Sequence, residues 1–411
     1  PRRGSEYGVE AAPVEVDMER IRARKRTIVE AFREGSRGSL ERIDRLDLIF
    51  GEARFTGPRH VEVVTGGDTQ TLEADIVIVN VGTRPSVPPI PGLAEVDALD
   101  STRIMELARL PRHLLVVGGG YVGVEFAQMF RRFGSEVTLL HRGEQLLERE
   151  DADVAATLEE ILTEDGIEVV TRADAVAAAL FKDGVEDGIE VRVSVGSKEG
   201  PKERQEERRV EGSHLLMAVG RRPNTDGLGL DSAGVAVDDR GYIEVDEQLR
   251  TSTEGVWAVG DVKGGPAFTH ISYDDYRIVR DRLLEGRNRT ISERQVPYTV
   301  YTDPQLGRVG MTEREARSTG RRIGVAKMAA KRAARAVETG NTRGLWKAVV
   351  DLDSEEILGA AILGHEGGEV MSVVQVAMMG GLSYKKLRDG VFAHPTYAES
   401  LNNLFMTLGS D

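Results

Sequence analysis

A short, wholly apolar run, Leu114-Leu115-Val116-Val117, breaks into glycine and then into Val124–Phe133, whose apolar residues fall at helical spacing. That change of period predicts a strand buried on both faces, a tight turn and a helix. The alternation continues with strand Glu136–His141, helix Asp153–Asp165 and strand Ile167–Thr171. A charged hairpin carrying Glu199–Glu207 comes next, then the apolar strand Ser213–Val219. The hairpin's Lys, Arg and Glu residues predict a solvated surface excursion. Apolar strands alternating with helices predict a parallel α/β sheet.

Upstream the pattern is more broken. Residues 1–16 have no period, and Asp17 then stands at a helix-cap position ahead of Ile21, Ile28, Val29 and Phe32. These predict an amphipathic helix lying on a domain. Short strands are expected at Asp47–Phe50, His60–Val64 and Ala74–Val81, with Ile76-Val77-Ile78-Val79 covered on both faces. The cluster Pro88-Pro89-Ile90-Pro91-Gly92 predicts a stiff crossover out of one domain. Two strand exits are alike, Gly82-Thr83-Arg84-Pro85 and Gly220-Arg221-Arg222-Pro223. Such an internal echo points to two dinucleotide-type lobes.

After Pro297 the period changes again. Tyr298–Tyr301, Val325–Lys331, Gly344–Asp351 and Ile357–Gly364 read as strands of an antiparallel sheet. Glu369–Met379 reads as an apolar helix, with Val370, Val373, Val374, Val376, Ala377 and Met378 giving it a broad buried face. A late α+β module of this kind is a common oligomerisation device.

Composition narrows the function classes. A chain of 411 residues has room for two or three domains. Its net charge of -14 argues against nucleic acid or an anionic membrane as main partner, since both are polyanions. No apolar run approaches the roughly 20 residues a bilayer span needs, and no signal-peptide pattern opens the chain. A cytoplasmic protein is the expectation. There is no cysteine, which excludes disulfides, thiolate metal sites and a cysteine nucleophile within these residues. No metal site is expected.

Candidate chemistry clusters at strand ends. Gly118, Gly120 and Gly123 have the G-x-G-x-x-G spacing: a tight turn, backbone approach to a pyrophosphate, and close helix–strand packing. The diphosphate would rest on the helix N-terminus. At the end of the second strand, where an acid would bind the ribose 2′-hydroxyl of NAD, stand His141-Arg142. Arg142 suits a 2′-phosphate, so NADPH is expected over NADH. The strand through Val259 ends in Gly260-Asp261, placing a carboxylate at the edge where cofactors bind. Asp261 is expected to accept from sugar-like hydroxyls; a helix N-cap is the alternative. His394-Pro395 sets a histidine in extended chain, with Glu399 five residues on to hold its ring and raise its basicity. A chance helix-start histidine is the other reading.

Ile78–Arg84, Gly118–Glu125, Val219–Pro223, Gly260-Asp261, Pro297–Thr312 and His394–Glu399 stand in one order, and in that order the chain resembles the pyridine nucleotide–disulfide oxidoreductase flavoproteins. This family includes dihydrolipoamide dehydrogenase, glutathione reductase and mercuric reductase, and the look is nearest to mercuric-reductase-like members. The resemblance implies an α/β fold of two Rossmann-like three-layer dinucleotide-binding domains plus a C-terminal α+β dimerisation domain. It implies FAD bound by residues 1–110 and 231–295, with Gly82, Thr83, Gly220, Gly260 and Asp261 at the cofactors. It implies NADP, or less favourably NAD, bound by 111–230 through Gly118, Gly120, Gly123, His141 and Arg142. Tyr121 would lie over the flavin and Glu125 near its edge. Residues 296–411 would form a homodimer in which His394, oriented by Glu399, exchanges protons with redox thiols of the partner subunit.

The departures qualify the function. The family's first strand, its flavin G-x-G-x-x-G and its Cys-x4-Cys helix are not among these residues. The helix at 17–34 matches the family element next after that cysteine helix, so roughly sixty residues, about one strand–helix unit, are expected to precede Pro1 in the natural protein. The chain ends Leu408-Gly409-Ser410-Asp411 where mercuric reductases carry vicinal cysteines, and it keeps His394, which they lack; mercuric ion is an unfavoured substrate. The expected activity is hydride transfer from NADPH to flavin and on to a disulfide or other small acceptor. The alternatives are a thiol-free transhydrogenase or diaphorase, and a non-catalytic nucleotide-binding dimer scaffold.

Overall fold

A computed structural model of the chain describes residues 3–10, 14–182, 187–196 and 205–408. Residues 199–204 of the charged hairpin and the terminal Gly409-Ser410-Asp411 lie outside the described residues. Two compact units divide the chain: residues 1–48, 87–148 and 159–219, and residues 49–86, 149–158 and 220–411.

Helix α1 (Met18–Glu41) opens the first unit and is capped by Asp17, whose carboxylate accepts from the Arg20 amide. It is held by charge. Lys25 and Arg26 pair with the carboxylate of Glu106, and Arg22 donates to the Glu106 carbonyl. The apolar stripe expected to lie on a domain does not: Ile28, Val29 and Phe32 are exposed, Phe32 by 76%.

In the second unit, β1 (Glu52–Gly57), β2 (His60–Thr65) and β3 (Asp68–Glu73) form an antiparallel meander. The strand expected at Asp47–Phe50 therefore starts later, because the tight turn through Pro58-Arg59 pairs Gly57 with His60 and sets the register. β4 (Val77–Val79) and β5 (Thr83–Pro85) come after it. Val79 is buried, but Ile76 and Ile78 are 45% and 48% exposed, so this run is covered on one face only. Its sole named sheet partner among the described residues is the later strand at Val256–Ala258.

The chain returns to the first unit for β6 (His113–Val117), α2 (Tyr121–Phe133), β7 (Glu136–Leu140), the C-terminal part of α3 (Ala152–Glu164) and β8 (Glu168–Val170). β9 (Ala173–Lys182), β10 (Asp187–Gly196) and β11 (Gln205–Gly212) make an antiparallel sheet, and β12 (His214–Met217) completes a parallel sheet of order β12-β6-β7-β8. Leu114, Leu115 and Val116 are fully buried between these layers. Their apolar run, lacking any polar alternation, therefore forms a two-faced strand. The proline crossover packs on β9, with Ala178 donating to the Pro91 carbonyl at 2.9 Å.

The remainder belongs to the second unit. β13 (Arg221–Pro223) pairs antiparallel with β5, so the two echoed exits are partners in one ribbon. Helix α4 (Leu230–Ala233), strand β14 (Val256–Ala258), parallel to β4, and helix α5 (Thr269–Leu284) come next. β15 (Tyr298–Val300), β16 (Gln305–Gly310), α6 (Glu313–Ser318), β17 (Ile323–Ala329), α7 (Ala334–Glu338), β18 (Leu345–Asp351) and β19 (Ile357–Gly364) build a sheet of order β15-β16-β19-β18-β17. The expected antiparallel sheet is there, with β16 as an addition. Its glycine-containing Gln-Leu-Gly-Arg-Val-Gly run has weak strand propensity and is carried by pairing on both sides. Helices α8 (Gly367–Met379), α9 (Tyr384–Arg388) and α10 (Ser400–Met406) end the chain. α8 buries Val370, Met371, Val374 and Ala377, whereas Val376 and Met379 are 67% and 70% exposed. The buried face is thus narrower than expected: one side packs on its own sheet and an apolar edge is left outward.

Candidate functional site

In the first unit, β6 ends at Val117 and Gly118 turns the chain with φ of 118°. A β-carbon there would lie 2.3 Å from the Ala218 carbonyl oxygen, and one at Gly123 would lie 1.8 Å from the Gly118 oxygen. Both positions demand glycine, one for the turn and one for close helix–strand packing. At Gly120 a β-carbon meets nothing within 4 Å. Gly120 is the N-cap of α2 and supplies no side-chain cap. The helix therefore presents first-turn amides and the positive end of its dipole toward open space, the arrangement that favours an anion.

His141 and Arg142 part company here. The Gly119 amide donates to Nδ1 of His141 at 3.1 Å, and His141 is 9% exposed. An accepting Nδ1 leaves the proton on Nε2, which faces Oε1 of Glu148 at 3.4 Å. Burial pushes the His141 imidazole below its ordinary range, and the carboxylate of Glu148 pulls back only in part. His141 supports the glycine turn from behind; Arg142, next along, is exposed. Tyr121 and Glu125, both half-buried, share one face of α2 at i and i+4.

In the second unit, the ends of β4 and β14 come together. Gly82 and Gly260 both take positive φ, 67° and 69°. The Thr83 hydroxyl donates to Oδ2 of Asp261 at 3.0 Å and accepts from Nε of Arg221 at 2.7 Å. Gly220 accepts from the Ser86 amide and Gly82 from the Asn224 amide, each at 3.0 Å. Gly82, Thr83, Gly220 and Asp261 therefore share one corner. Arg221 and Asn224 are members that sequence reasoning missed, although the echo of the two exits held the signal. Asp275 on α5 was missed as well. It is fully buried and accepts from the Gly260 amide at 2.8 Å. A charged pair, Asp274-Asp275, on the buried stripe of a helix was the clue available.

The third cluster lies ahead of α10. Nδ1 of His394 stands 3.0 Å from both carboxylate oxygens of Glu399, and the His394 side chain is 68% exposed against 18% for Glu399. Thr396 sets the spacing, donating to the Ala393 carbonyl and accepting from the Glu399 amide. The sequence pair is thus a spatial pair, a supported imidazole turned to the outside. Among the described residues no group of three or more His, Asp or Glu side chains is arranged to hold a metal ion. No helix among them is long and apolar enough to cross a membrane.

Comparison with known proteins gives the family. The pyridine nucleotide-disulphide oxidoreductase model matches residues 8–275, and that family's dimerisation-domain model matches 296–405. The chain is 38% identical over 399 residues to the probable pyridine nucleotide-disulfide oxidoreductase RclA of Escherichia coli, spanning 97% of this chain and 87% of that protein. It is 35% identical to a mercuric reductase of Streptomyces lividans, spanning 98% and 83%, and 35% identical to a dihydrolipoyl dehydrogenase of Thermus scotoductus, spanning 97% and 83%. The solved structure of the Escherichia coli HOCl-induced flavoprotein disulfide reductase RclA superposes with a TM-score of 0.86 over 95% of this chain and 86% of its own. With both family models matched in order across nearly its whole length, the chain belongs to the pyridine nucleotide–disulphide oxidoreductase family of flavin-dependent oxidoreductases.

Proposed function

We propose that this chain is an NADPH-dependent FAD oxidoreductase that delivers electrons to a disulfide or another small acceptor, acting as a homodimer through residues 296–411. Residues 1–110 with 231–295 form its flavin domain and 111–230 its nicotinamide domain. The observation that carries the reading is the open cradle at Gly120, ahead of an uncapped helix N-terminus. That cradle fits a dinucleotide pyrophosphate, because backbone amides can approach it with no side chain in the way. Arg142 would meet the 2′-phosphate with charged hydrogen bonds, while His141 keeps the turn in shape.

The Gly260-Asp261 corner fits the flavin's polyol. Thr83 engages one oxygen of Asp261, and the other remains available to accept from a hydroxyl. Bound FAD supplies the relay between a two-electron hydride donor and the acceptor. Tyr121 and Glu125 line the nicotinamide side of α2 and orient what enters there. His394 holds or releases a proton at Nε2, while Glu399 fixes the ring through Nδ1.

A second reading rests on composition. With no cysteine in these residues, an acceptor reduced directly at the flavin, as in a diaphorase or transhydrogenase, needs no redox thiol from them. Anaerobic titration of the FAD-loaded protein decides the shared core of both readings. NADPH should bleach the flavin absorbance, and an unbleached flavin at saturating NADPH overturns the proposal. Disulfide reduction and dye reduction then separate the two.

A further inference from the structure

The corner that holds Asp261 is itself held from within by a charge cluster no motif announces. Asp275 lies on α5 with no exposed surface and makes three contacts. Its Oδ2 accepts from the Gly260 amide at 2.8 Å and faces Nζ of Lys263 at 3.3 Å; its Oδ1 faces Nη1 of Arg294 at 2.6 Å. The Lys263 and Arg294 side chains are only 4% and 8% exposed. Arg294 also faces Asp274 at 3.5 Å, and Asp274 takes a further hydrogen bond from Arg289 at 2.9 Å.

Gly260 has little latitude. Its φ is 69°, and a β-carbon would lie 2.7 Å from Oδ1 of Asn80 and 2.9 Å from Oγ of Ser272. The residue immediately after it is Asp261. An amide donating to a buried carboxylate is a charge-assisted bond, stronger than an ordinary one and short-ranged in its demands on geometry. Loss of that acceptor leaves a buried N–H unpaired and removes a tie that holds the corner, which lets the Asp261 carboxylate move. Burial pushes the Lys263 ammonium downward while Asp275 pulls it up, as expected of a cation retained beside its counter-charge.

We propose that Asp275 is a positioning residue for the flavin site, setting flavin affinity by clamping the Gly260 amide and so aiming Asp261. It touches the backbone of the corner, and Lys263 and Arg294 balance its charge. The inference rests on the reading that Gly260-Asp261 is the flavin corner.

The test uses the full chain reconstituted with FAD. Asp275→Ala should raise the FAD dissociation constant about tenfold or more, the scale of one hydrogen bond to a charged group. NADPH binding, which belongs to the Gly118 turn, should stay unchanged. The paired change Asp275→Asn with Arg294→Gln keeps an acceptor for Gly260 and removes the charge mismatch, and should return FAD affinity to near the parent value. Hydrogen exchange gives a readout without flavin: the Gly260 amide should lose protection in Asp275→Ala and regain it in the paired variant. Where Asp275→Ala does not fold, Gly260 protection and FAD affinity in the paired variant decide. Both near parent values support the clamp, and folded protein with weak FAD binding overturns it. Parent-like FAD affinity in Asp275→Ala, alongside weakened binding in Asp261→Asn, also overturns the clamp. Unchanged affinity in Asp261→Asn overturns the flavin-corner reading itself, and the clamp with it.

Discussion

A β-carbon on Gly123 would lie 1.8 Å from the carbonyl oxygen of Gly118, five residues earlier across the turn. Helix α2 can approach the end of β6 this closely only because Gly123 carries no side chain. The same motif contains Gly120, where a β-carbon meets nothing. One three-glycine signature therefore holds two kinds of requirement, which mutation can separate.

Gly123→Ala should destabilise the first unit by roughly 1–3 kcal/mol, the usual cost of overpacking. Gly120→Ala should leave the melting temperature nearly unchanged and weaken NADPH binding. Thermal melts with dinucleotide titrations check both; equal loss of stability in the two variants contradicts the assignment.

On the proposed reading, cofactor choice turns on Arg142. Arg142→Ala should weaken NADPH by about 1.5–3 kcal/mol, the value of a charged hydrogen bond, and leave NADH binding as it was. Fluorescence titration with each nucleotide measures the ratio, and parallel losses for both would remove Arg142 from the phosphate site.

Acid should loosen the first unit. Burial holds His113, His141 and His214 below their ordinary value of 6.5. As pH falls through 6.5 toward the lower folded values, the unfolded chain takes up protons the folded one refuses. Stability therefore falls across that window, while above 6.5 these residues carry no penalty. His141→Asn preserves an acceptor for the Gly119 amide and removes one titrating ring, so its stability should vary less between about pH 7.5 and 5.5 (about one unit either side of the ordinary histidine value). Melts across this series check the slope.

Glu399→Gln should slow acceptor reduction by about 10-fold or more, a part of the roughly 10²–10⁴-fold that a well-oriented acid–base group contributes. Flavin bleaching by NADPH should be unaffected, because His394 and Glu399 form a site of their own. Stopped-flow measurement of the two half-reactions separates these effects. A matching loss in both would relocate the pair's role.

Val376 and Met379 leave an apolar edge on α8, within the matched dimerisation domain. Replacing both by Asp should shift the protein toward monomer on size-exclusion chromatography with light scattering, since desolvating charge at such an edge is costly. An unchanged dimer places the contact elsewhere.

Much of this protein could be read from one dimension. The apolar run through Leu114–Val117 is a strand, helical spacing marks the helix after it, and glycines at fixed offsets mark the turn between them, because each is a property of neighbouring residues and local backbone geometry. His394 and Glu399 were legible for the same reason, five residues apart with Thr396 tying the turn. Facing and partnership were not. The stripe on α1 is turned outward, while Lys25 and Arg26 on the same helix bond to Glu106, some eighty residues distant. Ile76 and Ile78 lie exposed because burial depends on what a sheet is stacked against. Thr83 reaches Asp261 across 178 positions, and Asp275 reaches the Gly260 amide only after α5 folds back on β14. A hydrogen bond is decided by separations of about 3 Å. The sequence by itself determined which elements form and where its turn and its histidine stand; tertiary structure alone decided which carboxylate holds which amide, because only the crossing of distant segments brings those atoms within reach.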